Sequence, residues 1–250
     1  MPTSPSSDRN STLGTALVIF AKAPIPGQVK TRLCPPLTHD EAATLHGSFV
    51  LDTLERTKAA VGQLKLRMDR YLACAPSTSH VFFKIMEERQ GVKLIDQVGD
   101  DLGARMHQAV ETMFSRGYRR TLIIGTDVPT VPFEYLKQAL TLLDNHDLTL
   151  GPALDGGYYL IGMNKPVQEL FADVPWSTDL VLRLTQERAA TLGLKTALLP
   201  SWRDIDTLAD LEALIESCNA EAKKPKHERA FSLRTTGVLQ ALAKRLCSRT

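Results

Sequence analysis

Ala16-Leu-Val-Ile-Phe20 is a short apolar run, and Ala21-Lys-Ala-Pro-Ile-Pro-Gly-Gln-Val-Lys-Thr-Arg-Leu33 follows it directly. A buried strand that ends in a cation-bearing loop delivers positive charge to the carboxyl edge of a sheet. Open α/β sheets bind their ligands at that edge. Lys22, Lys30 and Arg32 have no carboxylate within the loop to neutralise them, so the natural guest is an anion, above all a phosphate chain. A solvated surface loop is the alternative. The segment is not a P-loop, because Val29 stands where glycine must precede the lysine, and no G-x-G-x-x-G follows the strand. If the loop is extended, Lys30 and Arg32 point to one side, a point charge beside a bidentate fork.

Outward from this loop, apolar runs alternate with helical stripes. Thr38-His-Asp-Glu41 predicts a capping box opening a helix to about residue 60. Further strands are expected over 70–75, 92–97, 121–125, 147–152, 158–162 and 194–199. Helices are expected over 77–90, from Gly103 through Phe114, over 132–144, from Trp176-Ser-Thr178 and Asp179 to about 192, and from Asp204-Ile-Asp-Thr207 through 215. This alternation implies a mostly parallel sheet covered on both faces. The short turn Asp155-Gly-Gly157 before Tyr158 predicts one antiparallel excursion.

Three segments suggest the domain organisation. Residues 1–14 are polar and read as a disordered leader, and 15–217 as the folded domain. Residues 218–250 read as a basic tail or appended helix, with one apolar cluster at Val238, Leu239, Leu242 and Leu246. Were that tail a docking arm, its deletion would spare turnover. Hydrophobic content of 43% and charged content of 23% fit a soluble globular chain. A net charge of +2 is too small to argue for a nucleic-acid or membrane partner. The four cysteines form no C-x-x-C pair, which argues against a zinc or disulfide framework and for the cytoplasm.

Three acidic sites offer chemistry. Asp127, in Gly125-Thr-Asp-Val-Pro129, follows the apolar run Thr121-Leu-Ile-Ile-Gly125, where a divalent ion finds oxygen donors; it equally suits a turn cap. Asp155 with Gly156 and Gly157 either approaches a ligand closely or makes a plain β-turn. Asp204, Asp206 and Thr207 on their own read as a helix cap. The six histidines show no metal spacing, and no Ser/His/Asp or Cys/His set points to covalent catalysis.

Six ordered motifs over about residues 15–217 resemble the DUF2064 family, glycosyltransferase-like proteins of the GT-A superfamily. They are Phe20-Ala-Lys-Ala-Pro-x-Pro-Gly-x-Val-Lys-Thr-Arg-Leu33, Gly99-Asp-x-Leu-Gly-x-Arg-Met106, Gly125-x-Asp-x-Pro129, Gly151-Pro-x-x-Asp-Gly-Gly-Tyr-Tyr-Leu-Ile-Gly162, Pro175-Trp-Ser-Thr178 and Asp204-x-Asp-Thr207. The Lys-Thr-Arg-Leu loop is also similar to that of phospholactate guanylyltransferases. The resemblance implies a GT-A-like three-layer α/β/α sandwich, and a transferase using a nucleotide or nucleotide-sugar donor and a small-molecule acceptor. It implies donor-phosphate binding by Lys22, Gly27, Lys30, Thr31 and Arg32, with Gly156 and Gly157 also at the ligand. Asp127 and Asp206 are the implied ligands for Mg²⁺ or Mn²⁺, and Lys30, Arg32 and Asp155 the implied catalytic set. Thr126-Asp127-Val128 holds one carboxylate where glycosyltransferases carry Asp-x-Asp, and Ala104 stands where relatives have Glu. Sugar transfer is the first expectation, nucleotidyl transfer the alternative, and a non-catalytic nucleotide-binding protein the third.

Overall fold

The computed structural model describes residues 13–222 and 231–247. The expected leader lies outside the described residues except for its last two positions, which begin the first strand. Lys223, Lys224, Lys226 and Arg229 also lie outside them.

Among the described residues, seven strands form one sheet: β1 (Leu13–Lys22), β2 (Met68–Ala75), β3 (Lys93–Asp96), β4 (Tyr118–Gly125), β5 (Leu148–Pro152), β6 (Tyr158–Met163) and β7 (Thr196–Leu198). Their order is β3-β2-β1-β4-β6-β5-β7. The pairs β1–β2, β2–β3, β1–β4 and β5–β7 are parallel, whereas β6 runs antiparallel to both β4 and β5. The helices are α1 (His39–Gln63), α2 (Val81–Gln90), α3 (Leu102–Ser115), α4 (Glu134–Leu142), α5 (Val181–Thr191), α6 (Leu208–Glu221) and α7 (Leu233–Cys247).

Alternation along β1 divides the core. Leu17 and Ile19 face Val50 and Leu54 of α1, Phe83 of α2 and Leu136 of α4. Ala16 and Val18 face Met106 and Val110 of α3 and Ala189 of α5. A mostly parallel sheet between two helical layers results, an α/β/α sandwich. Thr38 and Glu41 make the expected reciprocal capping box at the start of α1.

Three local expectations change. The first turn of α2 is absent because His80, not Ser77, caps it by accepting from Phe82 N. α5 begins at Val181, and Trp176–Asp179 is a loop in which Ser177 takes φ 67. The cation loop is not extended: Lys30 is left-handed, with φ 49, and Thr31–Leu33 is a 3-10 turn.

A third apolar cluster lies beyond the sheet. Leu33 from the cation loop, Leu45 and Phe49 of α1, Ile205 from the loop before α6, Leu211 and Leu214 of α6, and Leu239 and Leu242 of α7 pack together. Cys218 is buried in it too, so a boundary at 217/218 would cut through α6. Arg234 pairs with Asp52 and Glu55 of α1 at 2.9 Å each, and Thr235 donates to the buried Asp52 at 2.6 Å. Arg245 pairs with Glu41 at 2.5 Å and donates to Pro36 O. The described part of the C-terminal segment is therefore packed structure, not a loose tail.

Candidate active site

The loops after β1, β4 and β7 leave the carboxyl edge of the sheet side by side. Backbone bonds set their spacing. Ile205 N donates to Asp127 O at 3.0 Å, Trp202 N to Pro152 O at 2.9 Å, and Leu154 N to Trp202 O at 3.1 Å. The segment 200–206 thus crosses from β7 past the end of β5 to the end of β4. Trp202 walls it, donating through Nε1 to Thr130 Oγ1 at 3.2 Å.

Lys30 is the hub. Its ammonium lies 2.7 Å from Asp127 Oδ1, 2.8 Å from Asp206 Oδ1 and 2.5 Å from Ile205 O. The left-handed backbone turns this side chain inward, leaving it 4% exposed, while Arg32 points outward at 62% exposed and 3.9 Å from Asp206 Oδ2. The expected same-side pair is therefore split, because a 3-10 turn rather than a strand separates the two residues. Lys22 and Thr31 are exposed, and Gly27 takes φ 80 in the same loop.

Each ion pair opposes burial. Desolvation pulls Lys30 down, but Asp127 and Asp206 outweigh it and raise its pKa. Desolvation pushes Asp127 up, and Lys30 above all brings it below the usual carboxylate range. Asp127 Oδ1 is shut from solvent while its side chain is 44% exposed, so its second oxygen is the accessible one. Asp206 is 33% exposed. Two neighbouring hard carboxylates, each retaining an accessible face, fit Mg²⁺ or Mn²⁺.

Sequence reasoning missed two residues here. His46, buried in α1, lies with Nε2 3.0 Å from Lys22 O and Nδ1 3.9 Å from Asp127 Oδ1. Facing a carbonyl, Nε2 must carry the proton, and burial holds the ring neutral by lowering its pKa. A lone helical histidine carries no spacing signal. Asp204 reads as part of a cap, yet its carboxylate gathers with Asp155 and Asp206, their oxygens all within 4.8 Å of one another.

Half-burial, then Asp155, pushes the Asp204 carboxyl from 3.8 up to about 6. Between those values the unfolded chain has lost this proton while the folded chain keeps it, so stability falls as pH rises through that window. Asp204→Asn should raise stability above pH 6 by about 1 kcal/mol, solvent screening keeping the gain small. The gain should vanish below pH ~4. Chemical denaturation at both ends of the window measures it, and an equal gain at both would refute the linkage.

The Asp155 turn is built around its glycines. Gly156 has φ 91, and a β-carbon there would meet Asp179 O at 2.3 Å. Gly157 N donates to Asp155 Oδ1 at 2.8 Å and Gly156 N to Ala153 O at 3.3 Å. Expected as phosphate-binding positions, Gly156 and Gly157 have their N–H groups taken within the turn. What they supply is room and shape, not donors.

A family model described as "Uncharacterized protein conserved in bacteria (DUF2064)" matches residues 58–178. A "putative nucleotide-diphospho-sugar transferase" from Desulfovibrio desulfuricans G20 is 31% identical, with 92% of this chain and 95% of that one covered and a TM-score of 0.77. A cytidylyltransferase from Leptospira borgpetersenii shares the fold at 16% identity, TM-score 0.56, over 94% and 95% of the two chains. A CMP:2-keto-3-deoxy-manno-octonic acid synthetase complexed with CTP does so at 14% identity and TM-score 0.52, over 83% and 99%. No curated protein matches the sequence. Taken with the six motifs and the shared sheet, the near-complete match to the Desulfovibrio protein means that this chain belongs to the DUF2064 family.

Proposed function

We propose that this protein is a metal-dependent transferase that takes its donor group from a nucleotide-diphospho-sugar. One observation carries the reading: Asp127, Asp206 and Lys30 meet within 2.8 Å contacts at the carboxyl edge, with Arg32 beside them. Exposed Lys22 and Arg32 take the donor phosphates, and Thr31 and Gly27 shape the loop that bears them. Asp127 and Asp206 hold Mg²⁺ or Mn²⁺, which when bound neutralises charge on the leaving diphosphate. Asp155 orients the acceptor. Asp204, gathered with Asp155 and Asp206, takes the acceptor hydroxyl's proton as the acceptor's oxygen bonds to the sugar carbon and the bond to diphosphate breaks. Positioning and electrostatics then supply most of the rate.

Nucleotidyl transfer from an NTP is the second reading, favoured by the single carboxylate in Thr126-Asp127-Val128. The deciding experiment incubates the purified protein with sugar nucleotides and with NTPs, with and without Mg²⁺ or Mn²⁺. Nucleoside-diphosphate release supports sugar transfer, whereas pyrophosphate release replaces it with nucleotidyl transfer. Binding without either product refutes catalysis with these donors.

A further inference from the structure

An ammonium has three N–H donors and no more. The Lys30 ammonium donates to Ile205 O at 2.5 Å and to Asp206 Oδ1 at 2.8 Å, and Asp127 Oδ1 stands against it at 2.7 Å as an ion pair. A phosphate entering the cleft therefore meets an enclosed ammonium already held by a carbonyl and two carboxylates. A divalent ion on the accessible oxygens of the same two carboxylates would stand beside the ammonium, and two cations so close repel strongly in a half-buried setting. The backbone adds to the picture. Lys30 takes φ 49, a conformation that costs a residue with a β-carbon and persists where the surroundings over-determine it.

We propose that Lys30 is an exchangeable counter-cation. With the cleft empty it holds Asp127 and Asp206 together. It surrenders them to a divalent ion when a diphosphate arrives to receive the ammonium. This rests on the reading of those two acids as metal ligands and deepens it by fixing an order of events. Metal alone binds weakly, because it must crowd the ammonium or displace it with nothing to compensate. Diphosphate supplies the new partner, so metal and diphosphate bind together. Arg32, 62% exposed, is free to meet the diphosphate first.

The test is a titration of the full-length protein with Mn²⁺, following free Mn²⁺ by electron paramagnetic resonance. Wild type and Lys30→Met are compared with and without pyrophosphate, correcting for the Mn²⁺–pyrophosphate complex in the buffer. Lys30→Met should bind Mn²⁺ alone at least about tenfold more tightly than wild type, since the competing cation is gone. Pyrophosphate should tighten Mn²⁺ binding at least about tenfold in wild type and far less in the variant. Equal or weaker Mn²⁺ binding by a folded Lys30→Met protein would overturn the exchange while leaving the metal assignment standing. If wild type takes up no Mn²⁺ even with pyrophosphate, or if Asp127→Asn takes it up as well as wild type does, the metal assignment falls too.

A second measurement needs no folded variant. The ¹⁵N resonance of the wild-type Lys30 ammonium should persist when Mg²⁺ is added alone and move when Mg²⁺ and pyrophosphate are added together. A resonance that moves with Mg²⁺ alone, or stays fixed with both, overturns the proposal.

Discussion

Asp127→Asn should reduce product formation at least about 1,000-fold, the scale at which losing a charge-stabilising group at a reacting centre is felt. The substitution should also cost stability. Lys30 is almost fully enclosed, and Asp127 is one of its two anionic partners. Stranding a buried charge completely costs about 3–5 kcal/mol. Here Asp206 remains, the asparagine keeps an oxygen to accept from the ammonium, and Asp127 is partly exposed, so a loss of about 2 kcal/mol is expected. Product assays alongside urea denaturation separate the two effects. An Asp127→Asn protein with normal turnover would refute the site.

Truncation after Ala222 should be harsher still for the fold. It removes Leu239 and Leu242, both buried, from the third apolar cluster. It also strips Asp52 of its partners Arg234 and Thr235. Each buried leucine contributes about 2–5 kcal/mol, and a domain's whole stability is about 5–15 kcal/mol. The shortened chain should therefore unfold or persist only as a loosened species, with lost near-ultraviolet circular dichroism. Leu33 and Ile205 share the cluster and flank Lys30 and Asp206, so ligand binding should go with the fold. A truncated protein with an unchanged denaturation midpoint and full activity would mean that α7 is dispensable.

Local patterns made most of the architecture legible. The apolar run in β1 alternates faces as strands do, and Thr38 with Glu41 announces α1 by satisfying its first N–H groups. Asp155-Gly-Gly157 marks the reversal into β6 because its spacing leaves no room for a crossover helix. Asp127 and Asp206 are visible as acids at element ends, although 78 residues of intervening chain hide that one lysine joins them. What stayed hidden depends on distant partners. Nothing in Val29-Lys30-Thr31 signals a left-handed residue followed by a 3-10 turn, so the inward course of Lys30 is invisible. The basic background of α7 suggests solvent, yet Arg234 and Arg245 answer acids of α1 at the other end of the sequence. His46 and Asp204 acquire their character from burial, which a lone side chain in a sequence does not reveal.

The reversed direction of β6 has a bearing on how relatives diverge. Because β5 arrives at the carboxyl edge and β6 departs from it, residues 153–157 are tethered at both ends by a ladder running from Leu148 opposite Met163 to Gly151 opposite Leu160. Replacing the exposed side chains of that span, Leu154 and Asp155, alters the rim of the cleft without disturbing a single pairing beneath it, whereas Gly156 is fixed by its clearance from Asp179. If that rim meets the acceptor as proposed, lineages can explore new acceptors by editing two positions, while the loops after β1 and β4 are inherited intact.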